Sequence, residues 1–253
     1  IVQGVVLLVG MLPSYFVIRE IDPVKTVPID GHAPPRLSWR AFLVSPIPAV
    51  FSAQFLVNVA RGGVENGGVL FLYAAYSYGA DASVAVLGIL SSVMAAISIP
   101  IALVSGIVMD KRGRRFTLIP GTASLAAALL LMAATSYADL SFIWFIAAFA
   151  ANHVAVSIML GSWQTIGTDV APEEGRGTFF GTSRLISHTG RLSSPGSFAI
   201  LSEVGSFGIA FTFLATASLS AGAIILFLVK ETLHLRDQPP AHEARESPTS
   251  ALE

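Results

Sequence analysis

The sequence predicts an all-α integral membrane protein, in which a six-helix transmembrane bundle follows part of another span. Three observations lead to this prediction. Hydrophobic residues make up 53% of the chain and charged residues only 12%, a balance that a water-soluble domain could not bury. Apolar segments of about 20 residues, the length of a helical span, recur along the chain. The Lys and Arg residues fall in alternate connections between these segments.

Seven apolar segments follow one another, and all but the first are long enough to cross a bilayer. The first begins at Ile1 without a Met. We therefore take it to be the end of a preceding transmembrane helix and the chain to be a fragment. The segments cover residues 1–18, 49–78, 84–109, 116–137, 140–168, 177–203 and 207–229.

Two polar stretches flank the six-helix transmembrane domain that is predicted over residues 49–229. Residues 19–48 hold six prolines and four basic residues, which predicts a cytoplasmic central loop between two membrane units. Residues 230–253 are polar and rich in proline, which predicts a disordered cytoplasmic tail.

The basic residues predict which connections face the cytoplasm, because cytoplasmic loops of membrane proteins carry an excess of Lys and Arg. Twelve of the 15 Lys and Arg residues lie in 19–48, 110–115, 169–176 and 230–253. The connections 79–83, 138–139 and 204–206 contain none. The two sets alternate along the chain. The first set is therefore predicted to be cytoplasmic, and the alternation supports the number of spans.

Three spans carry polar side chains at intervals that place them on one face of a helix. On the second segment this face is about 60° wide. An ionisable group in hydrocarbon is costly, so we expect the three faces to be buried against one another around a shared cavity. The positions are Gln54, Asn58, Arg61 and Glu65 on the second segment, His153, Ser157 and Gln164 on the fifth, and Arg184, His188, Arg191 and Pro195 on the sixth.

Several of these residues also have a structural explanation. Arg61 and Glu65 are one helical turn apart and could form an ion pair that only neutralises charge. His153 and His188 are interpreted as hydrogen-bonded core or cavity-lining groups rather than as metal ligands, and no metal site is predicted. The glycine pair at 62–63 is interpreted as a packing or flexing point of the span.

A ten-residue signature follows the first two complete spans, and it reads Gly106-Ile-Val-Met-Asp110-Lys111-Arg112-Gly113-Arg114-Arg115. It resembles the Gly-x-x-x-Asp-(Arg/Lys)-x-Gly-Arg-(Arg/Lys) signature of the major facilitator superfamily, which occurs after the second helix of each six-helix half. The chain therefore resembles the C-terminal half of a twelve-helix fold, from the end of helix six through helix twelve. The resemblance implies a missing N-terminal half of the same transporter as its partner.

The resemblance also implies a gating loop that consists of Gly106, Asp110, Lys111, Gly113, Arg114 and Arg115. Gly106 is expected to let two helices approach closely. Asp110 is expected to face the positive N-terminal end of a neighbouring cytoplasmic helix. Arg114 is expected to pair with acidic groups of an adjacent loop. Taken without its glycines and its aspartate, the basic cluster would indicate only a topological anchor.

A weaker resemblance lies in the sixth segment. Gly181, Gly190, Ser194 and Pro195 have the spacing of the antiporter motif of helix five in the other half of the family fold, with Ser in the place of a Gly. Repeats in such folds are related by pseudo-symmetry. A similar motif on the matching helix therefore does not indicate the direction of transport.

Together these features predict secondary active transport of a small solute by alternating access, as a symporter or an antiporter. Protons are the expected coupling ion, and Glu65 is the candidate carboxylate because no other lies well inside a span. Arg61, Arg184, His188 and Arg191 favour an anionic or zwitterionic solute. Efflux of drug-like compounds is the alternative substrate class.

Other classes of protein are disfavoured by the composition. The chain has no Cys, and it shows neither a nucleophile beside a base nor a phosphate-binding glycine loop, so neither an enzyme nor a cofactor is predicted. A net charge of −1 argues against a nucleic-acid partner. A non-transporting membrane interaction or assembly factor stays open, because fold does not determine function. The expected location is the lipid bilayer of a bacterial inner (cytoplasmic) membrane, as a multi-pass protein.

Single cysteines test the predicted orientation. Asp81→Cys and Asp139→Cys should react with an impermeant thiol reagent in intact cells, whereas Lys111→Cys and Glu174→Cys should react only after the membrane is opened. The native chain has no cysteine that would give background labelling. Labelling of Lys111→Cys in intact cells would reverse the orientation.

Overall fold

The structure, a computed structural model, describes residues 46–65, 68–172 and 175–229. Within these ranges it contains α-helices and one short 3-10 helix, Gly79–Ala82, and no β-strand, which confirms the all-α fold class. The predicted segment 1–18, nearly all of 19–48 and the tail 230–253 lie outside the described residues. The helices are α1 (Ile47–Glu65), α2 (Gly68–Tyr78), α3 (Val84–Arg112), α4 (Arg115–Tyr137), α5 (Phe142–Val170), α6 (Arg176–Val204) and α7 (Phe207–Leu228).

The helix bounds agree closely with the predicted segments, and the differences lie at the connections. The second segment is divided between α1 and α2, and residues 66–67 between them are not described. The predicted loop 110–115 is too long, because α3 continues through Arg112 and α4 begins at Arg115. Asp110 therefore lies in the last turn of a helix.

Local chemistry explains where α3 ends. Lys111 and Arg112 occupy its last turn, where positive charge interacts favourably with the helix dipole. Gly113 has a φ angle of 100°, which residues with a Cβ rarely adopt, and its N–H donates to the Met109 carbonyl at 2.9 Å. The turn between α3 and α4 therefore requires the glycine of the signature.

Four of the described helices, α3, α4, α5 and α7, are long and apolar enough to cross a membrane by length and composition. Helices α1 and α6 are long enough but are not among these four, because polar side chains interrupt their apolar sequence. A polar face in a bilayer must be buried against protein or line a water-filled cavity. The surroundings of α1 and α6 therefore bear most directly on function.

The bundle is organised around α4, which packs between α5 and α7. Helix α1 packs against α6 and α7, and α3 packs mainly against α5. Most buried apolar side chains belong to one continuous core, which includes Leu125 and Leu129 of α4 and Phe211 and Leu214 of α7. This core holds the apolar helices together and leaves α1 and α6 in contact along one side of α7.

Buried hydroxyl groups link neighbouring helices of the bundle. Thr117 Oγ1 of α4 and Ser162 Oγ of α5 are 2.6 Å apart. Ser218 Oγ of α7 donates to the Thr122 carbonyl oxygen of α4 at 2.9 Å. Because each of these hydroxyls has a partner on another helix, the contacts leave none of them unsatisfied in hydrocarbon.

Helices α1 and α6 cross closely because each presents a glycine to the other. A Cβ atom at Gly190 of α6 would lie 2.7 Å from the Phe55 carbonyl oxygen of α1. A Cβ atom at Gly62 of α1 would lie 2.9 Å from the Arg191 carbonyl oxygen of α6. Pro195 has no N–H, so this carbonyl lacks its usual helical donor, and it lies beside the Gly62 backbone instead. Neither glycine can gain a side chain without moving a backbone.

Gly190→Ala should lower the thermal unfolding temperature, because the added methyl group overlaps the α1 backbone. Overpacking of this kind costs about 1–3 kcal/mol of unfolding free energy. Gly181→Ala is the matched control on α6, since no heavy atom lies within 4 Å of a Cβ built there. The control should be as stable as wild type or more so, because Ala favours helix over Gly. Equal unfolding temperatures of the two variants in detergent would contradict the close crossing.

Candidate functional site

The polar face predicted on the second segment lies on α1, at its contact with α6. Asn58 and Arg61 are buried, with 8% and 7% of their surface exposed, and Gln54 is half-buried. Asn58 Nδ2 donates to the Gln54 carbonyl oxygen at 2.7 Å. Glu65 is the last residue of α1, and its side chain lies outside the described part. The described members of this face are therefore turned into the bundle.

The charged face predicted on α6 is not buried against α1, which corrects the expectation of mutual burial. Arg184 and His188 are exposed in the described chain. Only the half-buried Arg191 reaches α1, where its Nε donates to Asn58 Oδ1 at 3.2 Å. The reason is steric, since two backbones that approach at a glycine leave no room for long side chains between them.

Helix α6 contacts α1 through the neighbouring face, which consists of small residues. Ser183 Oγ donates to Gln54 Oε1 at 2.9 Å, and Ser194 Oγ donates to the Val59 carbonyl oxygen at 2.6 Å. Gly190 lies on the same face between the two serines. The predicted face of α6 rested on its charged residues and did not include this interface. Small residues at helical spacing were the signal that could have found it.

The polar residues of α5 are not joined to those of α6 by the described contacts. His153 is half-buried, its Nδ1 lies 3.1 Å from the Phe149 carbonyl oxygen, and its ring packs on the Phe149 ring. Ser157 Oγ donates to the His153 carbonyl oxygen at 2.7 Å, and Gln164 is exposed. These hydrogen bonds are local to α5. Within the described ranges, no three His, Asp or Glu side chains lie together as metal ligands.

Exposed and half-buried residues of α6 border an open groove of about 620 Å³. His188, Arg191 and Pro195 line it together with Leu185 and Leu192. Leucine side chains can face lipid, whereas charged groups within the bilayer need water or a protein partner. The groove therefore has an apolar rim and a cationic edge.

The connection between α3 and α4 places Arg114 inside the protein. Arg114 is 2% exposed, and its Nε lies 2.9 Å from Oδ2 of Asp169 in the last turn of α5. The contact is one of charge and distance rather than an aligned hydrogen bond. Arg114 precedes the N-terminus of α4 and Asp169 lies near the C-terminus of α5, so each charge stands at a helix end that disfavours it. The ion pair offsets both of these unfavourable positions.

The other residues of the predicted gating loop have different surroundings. Gly106 does not form the expected close approach within the described residues, because no heavy atom lies within 4 Å of a Cβ built there. Asp110 and Lys111 are exposed, and no ion pair of Asp110 occurs within the described ranges. Arg115 Nη2 donates to the Leu226 carbonyl oxygen at 2.5 Å. This last arginine ties the beginning of α4 to the end of α7.

A comparison with known protein families finds a match over the whole chain. The sequence profile of the Major Facilitator Superfamily matches residues 1–195 and residues 62–253. No curated protein matches the chain.

Asp169→Asn should lower the unfolding free energy by about 3 kcal/mol, because buried Arg114 loses the carboxylate of its ion pair. Combining it with Arg114→Gln removes both charges and should recover much of the loss, which a double-mutant cycle measures by thermal unfolding. Asp81→Asn is the control, since it makes the same chemical change at an exposed carboxylate. Equal losses in Asp169→Asn and Asp81→Asn would show that the ion pair contributes nothing.

Proposed function

Because the chain belongs to the Major Facilitator Superfamily and is a multi-pass membrane protein of that transporter family, we propose that it moves a small solute by alternating access. The proposal includes coupling to an ion gradient, with protons as the ion and symport or antiport as the mode. The observation that carries it is the polar contact between α1 and α6, beside the apolar core of the bundle.

Only some of the polar side chains of α6 take part in this contact. The small-residue face meets α1, while Arg184 and His188 stay exposed beside it. Charged groups on a membrane-spanning helix are costly unless they face water or a partner. A water-filled solute pathway along this side of α6 meets that requirement, because it hydrates the Arg184 guanidinium and the His188 imidazole and gives both groups a ligand to bind.

The charges and the apolar rim point to two classes of solute. The Arg191 guanidinium at this groove, with the His188 imidazole beside it, favours an organic anion or a zwitterionic metabolite. Efflux of drug-like compounds is the second candidate, and it is favoured by Leu185 and Leu192, which are 68% and 81% exposed at the same groove. Both classes are bound by the same combination of apolar and cationic surface.

The α3–α4 connection supports a gate whose contacts differ between conformational states. The Arg114–Asp169 pair joins the beginning of α4 to the end of α5, and the contact offsets the unfavourable placement of each charge at its helix end. Contacts of this kind bias a two-state equilibrium when helices shift by a few ångströms. Asp110 and Gly106 are proposed to meet the other half of the transporter, with Asp110 at the positive end of one of its helices.

The proposed partner is an N-terminal six-helix half that supplies the opposite wall of the pathway. Helix α3 supports this proposal, because only 11% of its most apolar window is buried, against 56% for α4. Ile89 and Leu103 are each 67% exposed on α3. A bacterial inner membrane is the proposed location, with the α3–α4 connection in the cytoplasm.

Glu65 is the proposed proton-coupling residue, and a double substitution tests it against the counter-charge explanation. The full-length protein is reconstituted in vesicles, and uptake of labelled organic anions and zwitterions is measured with and without a pH gradient. If Glu65 couples protons, Arg61→Gln with Glu65→Gln should fold normally and exchange solute downhill, but it should not accumulate solute against a gradient. If Glu65 only neutralises Arg61, the double variant should recover the accumulation that Glu65→Gln loses.

Accumulation by the double variant that still responds to the pH gradient would rule out Glu65 as an obligatory coupling residue. His153, His188 or a carboxylate of the N-terminal half would then take that role. No solute flux by the wild-type protein, at matched incorporation and above protein-free vesicles, would favour the non-transporting assembly factor instead.

A further inference from the structure

An open groove lies at the end of α3 and the beginning of α4, away from the contact between α1 and α6. Its volume is about 570 Å³, and it is lined by Arg112, Arg115, Phe116, Ile119 and Pro120. A second groove of about 420 Å³ adjoins it and shares Phe116 and Pro120 with it. The two grooves therefore form one continuous surface along α3 and α4, which we call the α3–α4 groove.

The deeper part of the α3–α4 groove is apolar. Its walls include Ile101, Val104 and Val108 of α3. Both hydroxyl groups in this wall donate hydrogen bonds within the protein. Ser105 Oγ donates to the Ile158 carbonyl oxygen at 2.5 Å, and Thr117 Oγ1 donates to the Arg114 carbonyl oxygen at 2.9 Å. The wall thus presents hydrocarbon to a ligand.

The shallow part of the groove is cationic. Arg112 is exposed, and its guanidinium lies 5.0 Å from the centre of the Phe116 ring, which holds the charge over the groove. Arg115 is half-buried and is held by the Leu226 carbonyl oxygen. No carboxylate of the described residues lines either part. Two positively charged side chains therefore lie at one end of the α3–α4 groove, beside its apolar part.

We propose that the α3–α4 groove binds one anionic phospholipid, with its phosphate at Arg112 and Arg115 and one acyl chain along the apolar wall. Charge complementarity selects an anionic headgroup, because basic pockets between transmembrane helices bind such headgroups. The apolar wall selects a lipid over a water-soluble anion, which would leave that wall exposed to water.

The length of the groove fits one leaflet of a bilayer. Arg112 and Pro100 are twelve residues apart on α3, which corresponds to about 18 Å of helix. One leaflet contributes about half of the roughly 30 Å hydrocarbon core. An acyl chain whose headgroup lies at Arg112 therefore stays beside the groove through the depth of its leaflet.

Lipid binding is measured with the full-length protein in detergent, by native mass spectrometry and by the rise in unfolding temperature on adding lipid. Phosphatidylglycerol should bind and stabilise wild type more than phosphatidylcholine does. Arg112→Gln should weaken phosphatidylglycerol binding about fivefold, the factor expected for one basic residue at an anionic surface. Arg112→Lys should retain most of the affinity, because it keeps the charge. Arg176→Gln is the control, since it removes an exposed basic residue of α6.

The apolar wall is tested separately from the charge. Val104→Trp should fill the groove and weaken binding, whereas Leu130→Trp, at an exposed position of α4 outside the groove, should not. Soluble glycerol phosphate should not displace the lipid, because it lacks the acyl chains. Equal affinity for the two lipids, equal effects of Arg112→Gln and Arg176→Gln, or no stabilisation of wild type by phosphatidylglycerol would each overturn the proposal. These measurements do not involve transport, so they are independent of the proposed solute pathway.

Discussion

The lack of water in the bilayer core is the constraint on which the rest of the structure depends. Every polar group of a spanning helix needs a partner within the protein or a hydrated cavity. The crossing of α1 and α6 meets this requirement for Gln54, Asn58 and Val59, each of which is bonded by a side chain of α6. Gly62 and Gly190 make these bonds geometrically accessible, because they let the two backbones approach. The same device recurs in weaker form wherever hydroxyl groups bridge α4 to its neighbours.

The surface of α6 divides into faces with separate tasks. Small residues such as Ser183 and Gly190 meet α1, while Arg184 and His188 occupy the adjacent arc. Leu192 lies at the exposed groove. A helix that served only as a membrane anchor would need none of the charged residues. They lie next to a packed interface rather than within it and are exposed in the described chain, as the proposed solute pathway requires.

The basic residues that follow α3 are near one another in sequence but have distinct environments. Lys111 is exposed, Arg112 lies over an aromatic ring, Arg114 is buried against Asp169, and Arg115 is bonded to the end of α7. If these residues served only to set the orientation of the chain in the membrane, all of them would be exposed. Burial of one arginine and attachment of another to a different helix indicate that this segment also fixes the relative positions of α4, α5 and α7. Arg112 and Arg115 also line the α3–α4 groove, where they supply the positive charge of the proposed lipid site.

The sequence by itself determined the class of the protein, the approximate bounds of the described helices and the signature after α3, because apolar length, loop charge and glycine spacing are local properties of the chain. It also determined which faces of α1, α5 and α6 are polar. Only the tertiary structure decided that Ser183 and Ser194, rather than Arg184 and His188, meet α1, and that Gly106 faces no neighbour among the described residues. The physical reason is that periodicity fixes a residue's angle around its own helix but carries no information on where the next helix lies. The position of the next helix depends on which faces can approach closely. Successive residues such as Ser183 and Arg184 are separated by only about 100° around the helix axis, so a small rotation of α6 decides which of them meets α1.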